Sequence, residues 1–114
     1  MQRRYELYIK DILEQINVIK EFTESFSFEE FKNDKKTIYA VTRALEIIGE
    51  AASNIPEEIR KKYNEIPWQV IRKFRNVIVH KYWGVEIDVE WDIIKEKLDI
   101  LEKQIKEILE KEED

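Results

Sequence analysis

The sequence predicts an all-α protein, an up-and-down bundle of four to five main helices, and three observations predict it. Apolar residues recur at steps of three and four through most of the 114 residues. Glycine and proline number only two each, so tight turns are few. Lys, Glu, Ile and Leu dominate the composition and favour long helices over strands. No stretch alternates with the period of two that a half-buried strand requires. A chain of this length has room for one core, and residues 1–114 read as a single domain without repeat or linker.

The first helix is expected from about Gln2 to about Phe22, where Tyr5, Tyr8, Ile12, Ile16 and Ile19 form one stripe. Ser27-Phe28-Glu29-Glu30 has the form of a capping box, with Phe26 and Phe31 in the staple positions around it. Asn33-Asp34 ends that short helix, and Asp34 caps a third, from about Lys35 to Ser53. Its stripe is Ile38, Val41, Leu45, Ile48 and Ala52, while Ala44 and Gly49 leave room for a close neighbour. Pro56 and Pro67 each suit the first turn of a further helix, one reaching about Lys62 and one about Tyr82. Gly84 is expected to break the latter. Asp88 then caps a last helix, from about Val89 to about Lys111, with a coiled-coil-like seam of Trp91, Ile94, Leu98, Leu101, Ile105 and Ile108.

Composition narrows the function. Without cysteine there are no disulfides and no Cys-based metal sites, and a cytoplasmic location is expected. No apolar run approaches the ~20 residues that span a bilayer, and Met1 to Leu7 lacks the apolar stretch of a signal peptide. A net charge of -5 argues against indiscriminate binding to nucleic acid. The charge is uneven, however. From Arg60 to Trp83 seven basic residues face one acidic one, a local +6 that leaves -11 for the rest. A run of this kind is usually a solvated face, but this one also holds the only histidine.

That histidine lies in Arg75-Asn76-Val77-Ile78-Val79-His80-Lys81-Tyr82-Trp83. On a continuous helix, at about 100° per residue, Val70, Ile71, Phe74, Val77 and Ile78 share a core face. Arg75, Asn76, Val79 and His80 fall opposite. Asn76 and His80 are four apart and can touch, whereas Arg75 and His80, about 140° apart, can only flank a common pocket. Val79, an apolar residue on the polar face, suggests a cleft floor or cover by another chain. Tyr82 returns to the arginine's side.

This arrangement resembles the motif of HEPN domains, and more closely that of the HepT-like branch, R-x-x-x-x-H-x-Y. Arg75, His80 and Tyr82 fill its three positions without a gap, and Asn76 fills the polar position after the arginine. The likeness extends over most of the chain in length, helical pattern, acidic balance and motif placement. The resemblance implies a metal-independent endoribonuclease acting as a homodimer, with Arg75 and His80 catalytic, Asn76 supporting, and no cofactor. It implies further a toxin–antitoxin pair in which a partner nucleotidyltransferase silences the enzyme by attaching AMP to Tyr82.

The chemistry suits the residues. An imidazole with an ordinary pKa of about 6.5 can take a proton from a 2′-hydroxyl or give one to a leaving oxygen. A guanidinium can grip a phosphate bidentately and stabilise charge that grows in the transition state. Each residue also has a plainer reading. A lone histidine is more often a surface or capping residue, Arg75 could pair with any of many glutamates, and Trp68 and Trp91 are expected core or interface anchors. Two other functions therefore stand beside the ribonuclease: a non-catalytic module that binds a nucleotide or partner, suggested by low basicity, and a purely structural dimerising bundle.

Overall fold

A stripe of β-branched and aromatic residues builds the first helix, α1, Arg3–Thr23. Ile9, Ile12, Ile16 and Ile19 are fully buried and Tyr5 nearly so, with Tyr8 packed at the margin of the core. The computed structural model describes residues 3–77 and 83–112, with side chains over residues 4–75 and 87–112. Among the described residues every regular element is helical, and no helix is long and apolar enough to cross a membrane.

Two of the three predicted caps form. Helix α2, Phe28–Lys32, opens on a full capping box: the Ser27 hydroxyl accepts from the Glu30 N–H at 3.1 Å, and the Glu30 carboxylate accepts from the Ser27 N–H at 2.8 Å. Helix α3, Lys35–Ser53, opens on Asp34, which accepts from the Thr37 N–H at 3.1 Å. All five predicted stripe residues of α3 are buried. Helix α3 is the hub of the fold and touches α1, α2 and the three elements around the motif.

Pro56 and Pro67 sit one residue earlier than predicted. Each is the cap that precedes its helix, α4 at Glu57–Lys62 and α5 at Trp68–Arg72. A fixed φ near the helical value serves this position as well, since the first N–H groups have no intrahelical partner in any case.

Three expectations need correction. The helix predicted from Pro67 to about Tyr82 is not continuous: α5 ends at Arg72, and a separate helix, α6, is described over Phe74–Val77. At the break the Lys73 N–H is shared between the Gln69 and Val70 carbonyls, at 3.3 and 3.1 Å, which tightens the turn. The predicted core face splits accordingly, with Ile71 and Phe74 buried but Val70 46% exposed. Second, α7, Trp83–Asp92, already contains Asp88, which therefore caps no helix start, and Gly84 lies within the helix and does not break it. Third, a π-helical turn over Ile93–Lys97 joins α7 to α8, Leu98–Glu112.

The π turn changes what faces inward. One extra residue per turn offsets the upstream face by about 100°. Leu98, Leu101, Ile105 and Ile108 keep the predicted seam, but upstream of the turn Glu90 is buried where Trp91 was expected. Trp91 instead packs at the margin of the core, its ring 5.3 Å from Phe31 and 5.9 Å from Phe28. The Lys95 ammonium covers it at 4.7 Å. Helix α8 runs back along α1, pairing Glu112 with Tyr5 and Glu102 with Lys20. The up-and-down arrangement follows.

Candidate active site

Arg75 stands on α6, described over Phe74–Val77. Its neighbours in sequence explain its orientation. Phe74 and Ile71 are buried, 3% and 2% exposed, and turn that side of the segment into the core. Arg75 is left on the exposed side. It forms no ion pair with another described residue, and neither do Arg72 and Lys73 beside it.

The basic run therefore divides in two. The Arg60 guanidinium donates to the Ile55 carbonyl at 3.1 Å, Lys61 pairs with Glu57 at 3.6 Å, and Lys62 pairs with Glu112 at 2.6 Å. Those three cations are occupied within the fold. Arg72, Lys73 and Arg75 have no such partner among the described residues, and Lys73 and Arg75 are exposed. An uncompensated guanidinium is what a phosphate-binding role needs, because a buried or paired one would first have to give up its partner.

What holds α6 in place is α3. Gly49 lies against it so closely that a β-carbon there would stand 2.8 Å from the Arg75 amide nitrogen, 3.1 Å from the Arg75 Cβ and 3.2 Å from the Arg72 carbonyl oxygen. The close neighbour predicted for Gly49 is thus the backbone of the motif arginine itself. Seven residues earlier, about two turns along the same face of α3, Thr42 donates its hydroxyl to the Glu90 carboxylate at 2.7 Å. Glu90 is 2% exposed. One face of one helix thereby grips the element before the motif's histidine and the element after it.

His80 and Tyr82 lie outside the described residues, as do Ile78, Val79 and Lys81; Asn76 is described only in its backbone, within α6. Of the predicted site, the structure places the arginine and the two flanks. Sequence reasoning did not find Thr42 and Glu90. Neither carries a signal in a chain rich in glutamate, and the π turn that aims Glu90 inward has no sequence mark. Among the described residues, no group of three or more His, Asp or Glu is arranged to hold a metal ion.

Two other features lie near α5. A groove of about 330 Å³ runs between α5 and the π turn and α8, lined by Val70, Phe74, Ile100 and Leu101, with Glu65 and Gln104 at its margin. A more polar hollow of about 280 Å³ beside it is bounded by Lys62, Tyr63 and Glu107. Neither contains Arg75.

Comparison with known proteins agrees with the motif. The pattern of the ribonuclease HepT-like family matches residues 12–108. A Thermococcus cleftensis protein named "Probable ribonuclease HepT" is 43% identical over 108 residues, 95% of this chain and 98% of its own length. A Caldanaerobacter subterraneus protein named "Putative RNase" is 41% identical over 105 residues, covering 92% and 94% of the two chains. One of the same description from Methanocaldococcus jannaschii is 41% identical over 102 residues, covering 90% and 84%. No solved structure matches this chain significantly.

Proposed function

The chain belongs to the ribonuclease HepT-like family, and from that premise we propose that it is the metal-independent endoribonuclease toxin of a toxin–antitoxin pair. The observation that carries the reading is the exposed Arg75, without an ion pair to another described residue, at the head of the R-x-x-x-x-H-x-Y spacing and seated on α3 by direct backbone contact.

The reaction is transesterification within the RNA. The His80 imidazole takes the proton of a 2′-hydroxyl, and the freed oxygen attacks the adjacent phosphorus. The bond to the 5′-oxygen breaks, and that oxygen leaves with a proton from an imidazolium. The products are a 2′,3′-cyclic phosphate and a 5′-hydroxyl. Arg75 binds the phosphate and stabilises the charge that builds on its oxygens, and Asn76 supports the imidazole or the phosphate. One histidine is a thin set for a reaction that wants both base and acid. Two copies of this chain, related by two-fold symmetry, supply the second.

Silencing falls to Tyr82. Its phenolic oxygen attacks the α-phosphorus of ATP on a partner nucleotidyltransferase, pyrophosphate leaves, and AMP remains on the ring. The added phosphate charge and adenosine bulk then oppose RNA beside a site built to receive phosphate. The acidic balance of the chain favours a second reading, a non-catalytic module that offers Tyr82 to the transferase or binds a nucleotide.

Incubation of the purified protein with RNA in a chelator separates these readings. Cleavage by the parent protein and none by a folded His80→Ala variant is the expected result. Undiminished cleavage by that variant removes His80 from the chemistry. Formation of an AMP adduct by a protein that never cuts RNA favours the module.

A further inference from the structure

We propose that Gly49 is a positioning residue for RNA cleavage: its missing side chain lets α6 rest directly on α3 and so fixes the root of the Arg75 side chain. The proposal rests on the reading of Arg75 given above and names what aims it.

The geometry is specific to this position. The atoms that a Gly49 β-carbon would meet are the Arg75 amide nitrogen, the Arg75 Cβ and the Arg72 carbonyl oxygen. None is the free end of a flexible side chain that could swing away. To bring the closest separation from 2.8 Å to ordinary contact at 3.4 Å, α6 would retreat by about 0.6 Å. The retreat cannot be taken up locally, because Phe74 and Ile71 hold the same segment in the core at 3% and 2% exposure. It is delivered to the Cα–Cβ bond of Arg75, and the displacement grows along a long side chain. Catalysis by a fixed guanidinium is sensitive to shifts of this size, and a misplacement of about 1 Å can lower a rate on the order of a hundredfold.

A glycine in the interior of α3 is otherwise a poor choice, since Ala propagates a helix better. The surrounding positions are Ile48, Ala51 and Ala52, each buried. Gly49 is the one position in the second half of α3 where even a methyl group has no room.

The test is a double-mutant cycle on single-turnover RNA cleavage in a chelator, with Gly49→Ala, Arg75→Ala and the pair. Unfolding midpoints are measured alongside. Ala51→Gly is the control, since it weakens α3 but lies about 200° around the helix from Gly49. The expected result is a loss of roughly tenfold to a hundredfold in Gly49→Ala. In the Arg75→Ala background the same change should cost less than about twofold more, because the group that it displaces is gone. Ala51→Gly should keep the parent rate wherever it stays folded.

Several outcomes overturn the role of Gly49 while leaving RNA cleavage by Arg75 intact. They are parent activity in Gly49→Ala, losses that multiply in the double variant, an equal loss in Ala51→Gly, or failure of Gly49→Ala to fold, which would make the glycine a requirement of the fold alone. Parent activity in Arg75→Ala, by contrast, overturns the site itself and the role of Gly49 with it.

Discussion

Helices α1 and α8 meet along one seam, and α3 meets α6 and α7 along another face; the two contacts are built differently. The α1–α8 seam is a row of isoleucines and leucines, all buried, bracketed by two clusters of charge. In one cluster Lys20 reaches Asp99 and Glu102. Burial pulls the Lys20 ammonium down, but its two carboxylate partners outweigh this and the net shift is upward. In the other, the Glu112 carboxylate accepts from the Tyr63 hydroxyl at 2.6 Å and the Tyr5 hydroxyl at 3.4 Å, and pairs with Lys62. Lys62 first, then Tyr63, hold Glu112 below the usual carboxylate range, while burial and then Glu112 push the Tyr5 phenol up to about 12.

The α3 face belongs to the same apolar core, with Ile38, Leu45 and Ala52 buried on the side of the helix that carries Gly49, and its contacts with α6 and α7 add two features of another kind. It has an absent side chain at Gly49 and a buried acid at Glu90 held by Thr42. The seam is tolerant at its ends and strict along its middle, as expected of a contact whose task is stability. The α3 face is strict at single atoms. It lies against the backbone of Arg75, so on the proposed function the difference separates what holds the molecule together from what aims its arginine.

The largest stability effect belongs to the middle of the seam. Ile105→Ala removes a fully buried side chain and should lower unfolding stability by about 2–5 kcal/mol, read from the urea midpoint. A loss under about 1 kcal/mol would show that the seam can collapse around the hole. Next comes Glu90→Ala, which strips the Thr42 hydroxyl of its carboxylate in the interior. The expected loss is about 1–3 kcal/mol; a neutral result would mean that the buried acid has no part in fixing α7.

The smallest effect is at the end of the seam. Glu112→Gln keeps one acceptor oxygen where the carboxylate offers one to each phenol, and it gives up the pair with Lys62, which is 59% exposed, so about 0.2–1 kcal/mol is expected. Its pH dependence has a definite sign. A carboxyl depressed in the folded state stabilises fully above its unfolded pKa, and the contribution disappears as pH falls through the depressed value. The gap between parent and Glu112→Gln should therefore be constant near neutrality and close in acid. A gap that widens on acidification would contradict the assigned partners.

Much of this was legible in the sequence. Ser27 with Glu30 and Asp34 with Thr37 declare their helix starts, because capping is local chemistry carried by adjacent residues. The stripes of α1, α3 and α8 declare the core, because burial follows a period of about 3.6. The break at Lys73, the start of α7 ahead of Asp88 and the π turn left no mark. None follows from the local preferences of its segment, and a helical wheel drawn from Pro67 to Tyr82 assumed a continuity that the break at Lys73 removes. Arg75 was legible through the motif's spacing. That Gly49 would meet the backbone of Arg75 itself was not, since only a tertiary contact joins positions 26 residues apart in sequence.

On the proposed function, Arg75 serves the chemistry and not the fold. Single-turnover RNA cleavage in a chelator and thermal unfolding, measured together on the parent and Arg75→Ala, test that claim most directly. The rate should fall on the order of 10² to 10³-fold, while stability stays within about 0.5 kcal/mol, as for an exposed residue without a partner among the described residues. A parent-like rate, or a loss of cleavage that only tracks a loss of folding, would contradict it.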